Sequence, residues 1–158
     1  VAEASKELDK PVIFGIIGDG DRLPEMKDYC RQLEVHGQFH GFMTKQQVAT
    51  EFQKADLFMH GSEYETFSVV IAEALKCGTP VVASNVAAIP ELVTEGCGLL
   101  VDNTVTPWKD AIVKALTTNY DRSAIAESFK KRFGYQEVGN MLVDHYNDEL
   151  GQSAGNQV

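Results

Sequence analysis

The chain has 158 residues, 44% of them hydrophobic, and a formal net charge of −9 at neutral pH. That length and apolar content suit one domain with a substantial core. The acidic balance excludes unspecific attachment to nucleic acid or to an anionic membrane surface, since either polyanion would be repelled.

From the N-terminus, "VAEASKELDKPVIF" reads as a helix leading into a strand, so the pattern starts partway through a β/α unit. A strand and its loop are therefore expected to precede it. Short apolar runs then alternate with amphipathic ones. Strands are predicted at 12–18 ("VIFGIIG"), 37–40 ("GQFH"), 56–60 ("DLFMH"), 80–84 ("PVVAS") and 98–101 ("GLLV"). Helices are predicted over about 23–33, 46–54, 67–77 and 89–94, followed by 107–117, 121–132 and 136–150. The runs "VIFGII" and "PVVAS" lack polar alternation, as central strands covered on both faces do. The fold class that follows is α/β: a Rossmann-like parallel sheet with helices on both faces over residues 1–150, and a frayed tail over 151–158.

In the last helical run, Phe129, Phe133, Tyr135, Met141, Leu142 and Tyr146 recur at helical spacing and are expected to pack in the core. The basic run Lys130 to Arg132 is short for a membrane-docking surface. No apolar stretch approaches the roughly 18 residues of a membrane span, and the first residues lack the basic-then-apolar order of a signal peptide. Cys30, Cys77 and Cys97 are an odd set without metal-ligand spacing, which points to reduced thiols and a cytoplasmic setting.

In parallel sheets ligands lie beyond the carboxyl ends of the strands. The informative loops are therefore 18–22, 40–46, 61–67 and 84–91. Gly18, Asp19 and Gly20 fit either a phosphate loop or a tight turn. His36, His40 and His60 match no metal motif and read as structural strand-end residues, and Arg22 and Lys45 as solvated cations.

The stretch "GSEYETFSVVIAEALKCGTPVVAS" is the most specific. Thr66 fits a helix N-cap, and Phe67, Ser68 and Val69 would then present unpaired amides to an anion. Gly78 and Pro80 close the helix. Glu65 stands at its mouth, and Glu73 lies about 9 Å along the axis from Phe67 at 1.5 Å per residue. Two carboxylates flanking a cluster of amides match the order of a nucleotide-sugar: sugar hydroxyls, diphosphate, ribose hydroxyls. The alternative is that Glu65 complements the helix dipole while Glu73 pairs with a Lys or Arg.

"EYETFSVVIAEALKCGTPVVAS" followed by "IPELVTEGCGLLVDN" resembles the C-terminal, donor-binding half of the retaining GT-B glycosyltransferases of the GT4 family, also called glycosyl transferases group 1. The likeness rests on two glutamates with seven residues between them, the "EAxxCGTPVV" turn, "IPE" and "GxLV", and it extends over nearly the whole chain. It implies that Glu65 contacts the transferred sugar at the reaction centre. It further implies that Thr66, Phe67, Ser68 and Val69 line the diphosphate, Glu73 holds the ribose, and Gly41, Phe42 and Met43 cradle the base through their backbone. Transfer would be metal-independent and free of any cofactor, with the nucleotide-sugar as substrate and a role in polysaccharide biosynthesis. The implied partner is an N-terminal acceptor-binding domain of the same enzyme, through which any membrane association would run and without which this fragment would be inactive. Thr66 and Ser68 depart from usual glycines, Ala87 and Ala88 from a glycine pair, and Gly61 from a proline. The basic clamp that the family carries on an upstream loop has no counterpart here. A GT-B-shaped nucleotide-sugar epimerase and a non-catalytic nucleotide-binding module are the alternatives.

Overall fold

A computed structural model describes residues 1–8 and 11–155, with side chains through residue 150. The elements follow the expected order: α1 (Ala2–Ser5), β1 (Ile13–Ile17), α2 (Leu23–Gln32), β2 (His36–Gly41), α3 (Lys45–Lys54), β3 (Phe58–His60) and α4 (Val69–Lys76). Then come β4 (Val81–Ser84), α5 (Ile89–Leu92), β5 (Gly98–Val101), α6 (Val105–Thr117), α7 (Arg122–Phe133) and α8 (Tyr135–Gly155). Every pairing between strands is parallel, which is what helical crossovers between successive strands impose.

The sheet differs from expectation in being two pieces, β1–β2 and β3–β4–β5. In β4, Val81, Val82 and Ala83 are fully buried because the strand is covered on both faces. Val81 and Ala83 join a cluster with Ile71, Leu75, Ile89 and Leu92, while Val82 meets Val101, Ala111 and Ala115 on the other side. Each valine, leucine or isoleucine among them contributes on the order of 1.5 to 3 kcal/mol by leaving water. β1 was expected to be equally covered and is not. Ile13 is 57% exposed and Ile17 39%, and burial alternates along the strand. Its unbroken apolar sequence thus sits on a strand packed on one face.

Around Gly78 three helices are tied together. Gly78 takes φ +73°, and a β-carbon there would run into the Arg122 carbonyl oxygen. The Thr79 hydroxyl donates to the Phe52 carbonyl at 2.5 Å. The Arg122 guanidinium donates to the carbonyls of Ala55, Phe52 and Gln53 at 2.6, 2.9 and 3.1 Å, taking up the orphan acceptors at the end of α3. The "CGTP" stretch is therefore a structural joint between α3, α4 and α7.

The C-terminal helices correct a second expectation. Phe129 and Phe133 pack against the main cluster, but Tyr135, Met141, Leu142 and Tyr146 on α8 are all more than half exposed. Helical spacing identifies an apolar stripe without saying what covers it. α8 also runs on to Gly155, into the stretch read as tail, and residues 156–158 lie outside the described residues. Among the described residues no helix is long and apolar enough to cross a membrane.

Candidate functional site

The loop from β3 into α4 carries the glutamate pair. The N-cap of α4 is Ser68, not Thr66, and the helix begins at Val69. Ser68 is buried and adopts the left-handed region, φ +63° and ψ 78°, which no helical residue can hold, so the helix cannot extend back through it. An L-residue pays roughly 1 to 2 kcal/mol for that conformation. The unpaired amides of the first turn are consequently those of Val69, Val70 and Ile71. Thr66 caps nothing, and its amide donates to the Glu65 carboxylate at 3.1 Å. Phe67 meets the edge of Phe133, with ring centroids 6.2 Å apart, which ties the loop to α7.

Two of the positions where the family resemblance expects glycine, Ser68 and Ala87, have positive φ, +63° and +46°. The backbone thus keeps a conformation that suits glycine while the sequence has replaced it.

Glu65 is three-quarters buried and lies against His60, Oε2 to Nε2 3.4 Å. The same His60 nitrogen is 3.4 Å from the Ser68 hydroxyl. His60, read from sequence as structural, therefore lies beside two residues of the candidate site, Glu65 and Ser68. The signal that would have found it is its place at the carboxyl end of β3, where ligand-facing residues sit.

Glu73 is half-buried one turn into α4. Among the described residues its carboxylate has neither an ion-pair nor a hydrogen-bond partner, so a pairing with a Lys or Arg does not occur there. Burial first, and the Glu73 charge second, push the neighbouring Cys77 thiol up from its ordinary range. That thiol is accordingly a poor nucleophile. A half-buried carboxylate left without a partner keeps its acceptor oxygens free for the hydroxyls of a ligand.

The loops after β1 and β2 form a second group. The Gly18 amide donates to the Gly41 carbonyl at 2.8 Å, which sets Gly18, Asp19 and Gly20 beside Gly41, Phe42 and Met43. The Gly20 carbonyl accepts from Leu23 at 2.9 Å, a turn that starts α2. Phe42 is 77% exposed, and Thr44 closes the loop by capping α3 in a reciprocal box with Gln47. No described hydrogen bond joins this group to Glu65 or Glu73.

The sequence model of the family described as Glycosyl transferases group 1 matches residues 1–132. A D-inositol 3-phosphate glycosyltransferase of Paenarthrobacter aurescens is 32% identical over 109 residues, 66% of this chain and 27% of that protein. A GDP-mannose-dependent alpha-mannosyltransferase of Corynebacterium glutamicum is 31% identical over 145 residues, 87% of this chain and 34% of that protein. Among solved structures, Anabaena HepE in complex with UDP and glucose aligns with a TM-score of 0.76 at 23% identity, covering 93% of this chain and 43% of that one. The apo form of the lipopolysaccharide outer core galactosyltransferase WaaB aligns with a TM-score of 0.75 at 18% identity, covering 90% and 51%. The chain thus spans about a third of the curated relatives it matches and about half of the structural neighbours. With that family model covering most of its length, and with the α/β fold of GT-B glycosyltransferases, the chain belongs to the glycosyl transferases group 1 family.

Proposed function

We propose that the chain is the donor-binding part of a retaining, metal-independent glycosyltransferase of the GT4 type, which moves a sugar from a nucleotide-sugar to a glycan, lipid-linked or other acceptor. The observation that carries this reading is the half-buried, unpartnered Glu73 on the same helix whose first-turn amides follow Glu65. In this assignment Glu73 accepts hydrogen bonds from the ribose, and the amides of Val69 to Ile71 take the diphosphate. Glu65, held by His60 and by the Thr66 amide, accepts from hydroxyls of the transferred sugar. The loop Gly41 to Met43 receives the base. As the glycosidic bond breaks, negative charge grows on the diphosphate, and fixed amides at a helix N-terminus stabilise it without reorganising. The nucleotide-sugar is the substrate, and no further cofactor enters the step.

The same reading accounts for the divided sheet and the bare face of α8. In the doubly wound order 3-2-1-4-5-6, β2–β1 corresponds to positions 3-2 and β3–β4–β5 to 4-5-6. A strand from upstream would fill position 1, and its loop would bring the basic clamp for the diphosphate. The exposed stripe of α8 is then a surface for the acceptor-binding half of the enzyme, through which any membrane contact would run. Three free cysteines and the use of a nucleotide-sugar support a cytoplasmic enzyme of polysaccharide biosynthesis.

The intact protein incubated with nucleotide-sugars and acceptors in excess chelator should form a glycoside of unchanged anomeric configuration, as followed by proton NMR. The 158-residue chain alone should form none. An inverted product, loss of transfer on chelation, or an epimerised donor in the absence of acceptor would overturn the proposal.

A further inference from the structure

The root of the loop that carries Glu65 is gripped by residues distant in sequence. The Ser62 amide donates to the Ser84 hydroxyl at 2.9 Å, and the Asn103 side-chain amide donates to the Ser62 carbonyl at 2.8 Å. Asn103 Oδ1 in turn accepts from the Ser84 hydroxyl at 2.6 Å and from the Trp108 indole N–H at 3.3 Å. Both backbone groups of one loop residue are thus held by side chains from the end of β4 and from the β5–α6 connection. The Asn103 amide has one workable orientation, since turning it over would face its NH2 to the Trp108 indole N–H and its oxygen to the Ser62 carbonyl. Ser84 is fully buried, so this ring of bonds is anchored in the core. The Trp108 ring closes under Gly61, 3.6 Å from where a β-carbon would stand, so the residue before Ser62 is held by packing as well.

Between Ser62 and Glu65 the loop is open to solvent. Tyr64 is 75% exposed, and the internal bond from the Ser62 hydroxyl to the Tyr64 carbonyl, 2.7 Å, fixes the turn only relative to Ser62 itself. Glu65 stands three residues on, so its contacts with His60 and the Thr66 amide are made by a loop whose root is already fixed. A binding group is effective when the residues beneath it are themselves locked.

Resting on the assignment of Glu65 to the donor sugar, we propose that Asn103 is a positioning residue for sugar recognition: by clamping Ser62 against Ser84 it presets the Glu65 loop, while the nucleotide end of the site at α4 is built independently of it. Asn103→Asp tests the clamp, because it keeps the acceptor used by Ser84 and Trp108 and removes the donor to Ser62. Asn103→Leu removes the whole amide without adding charge. Dissociation constants are measured on the intact protein for UDP against UDP-glucose and for GDP against GDP-mannose. The pair that the unmodified protein binds is the one followed. Both variants should weaken the nucleotide-sugar about tenfold and leave the nucleoside diphosphate within about twofold, with each variant still unfolding in a single cooperative transition. Equal weakening of both ligands, no weakening of either, or an effect in Asn103→Asp without one in Asn103→Leu would each overturn the positioning role, the last by assigning the effect to charge. An unmodified protein that binds none of the four ligands would instead overturn the nucleotide-sugar reading, and this proposal with it, so the two failures are told apart by which protein fails.

Discussion

Glu65→Ala in the intact enzyme should lower kcat at saturating donor by about two orders of magnitude, while the affinity for the nucleoside diphosphate product stays within about threefold. In the proposed assignment the first amides of α4 take the diphosphate, and Glu65, which precedes that helix, faces the end of the ligand that the product lacks. The transition state of glycosyl transfer resembles an oxocarbenium ion, and hydrogen bonds to sugar hydroxyls strengthen as it forms. An interaction stronger in the transition state than in the ground state is lost from kcat, whereas uniform binding is lost from KM. Removing one preorganised oxyanion-hole donor costs about 2.7 to 4 kcal/mol, and a fall of two orders of magnitude in kcat corresponds to the lower end of that scale. The carboxylate is preorganised by His60 at 3.4 Å and by the Thr66 amide at 3.1 Å. Steady-state kinetics and product titration on the one variant decide the matter. Near-normal kcat combined with lost product affinity would reverse the assignment of the two glutamates.

Gly78→Ala should destabilise the protein by about 3 kcal/mol or more, far above the roughly 1 kcal/mol of an average substitution. Alanine pays roughly 1 to 2 kcal/mol for φ in the left-handed region, and Gly78 sits at φ +73°. Its β-carbon would also displace the Arg122 carbonyl, and with it the side chain that caps α3 and bonds Thr79. Overpacking against backbone adds a further cost of about 1 to 3 kcal/mol, because there is no flexible side-chain end to give way. Urea denaturation should show a lower midpoint at unchanged slope. A loss under about 1 kcal/mol would mean that the joint between α3, α4 and α7 yields without cost, contrary to the packing described here.

The order of elements was legible in the sequence because each strand is a short apolar run and each helix an amphipathic one. That Glu65 stands in the loop before α4 and Glu73 on the helix itself was legible from the apolar run between them. The exact start of α4 was not. Thr66 has the better capping side chain, but the left-handed backbone of Ser68 decides the boundary, and only packing reveals that. β1 shows the same limit from the other side: its composition suits a strand covered on both faces, yet coverage depends on neighbours that composition does not name. Asn103 escaped notice for a related reason. Asn103 meets Ser62 across 41 residues and Ser84 across 19, and no local pattern encodes such pairs.

The central claim is that Glu73 is held in reserve for a ligand, and one measurement addresses it: calorimetric titration of the nucleoside diphosphate into the intact protein and into its Glu73→Gln variant. Replacing a charge-assisted hydrogen bond by a neutral one should weaken binding by on the order of 1 to 3 kcal/mol. The melting temperature should stay the same, because no described residue pairs with this carboxylate. A variant that binds the nucleotide as tightly as the unmodified protein, or that loses affinity only by unfolding, would show Glu73 to be a structural residue and would contradict the account.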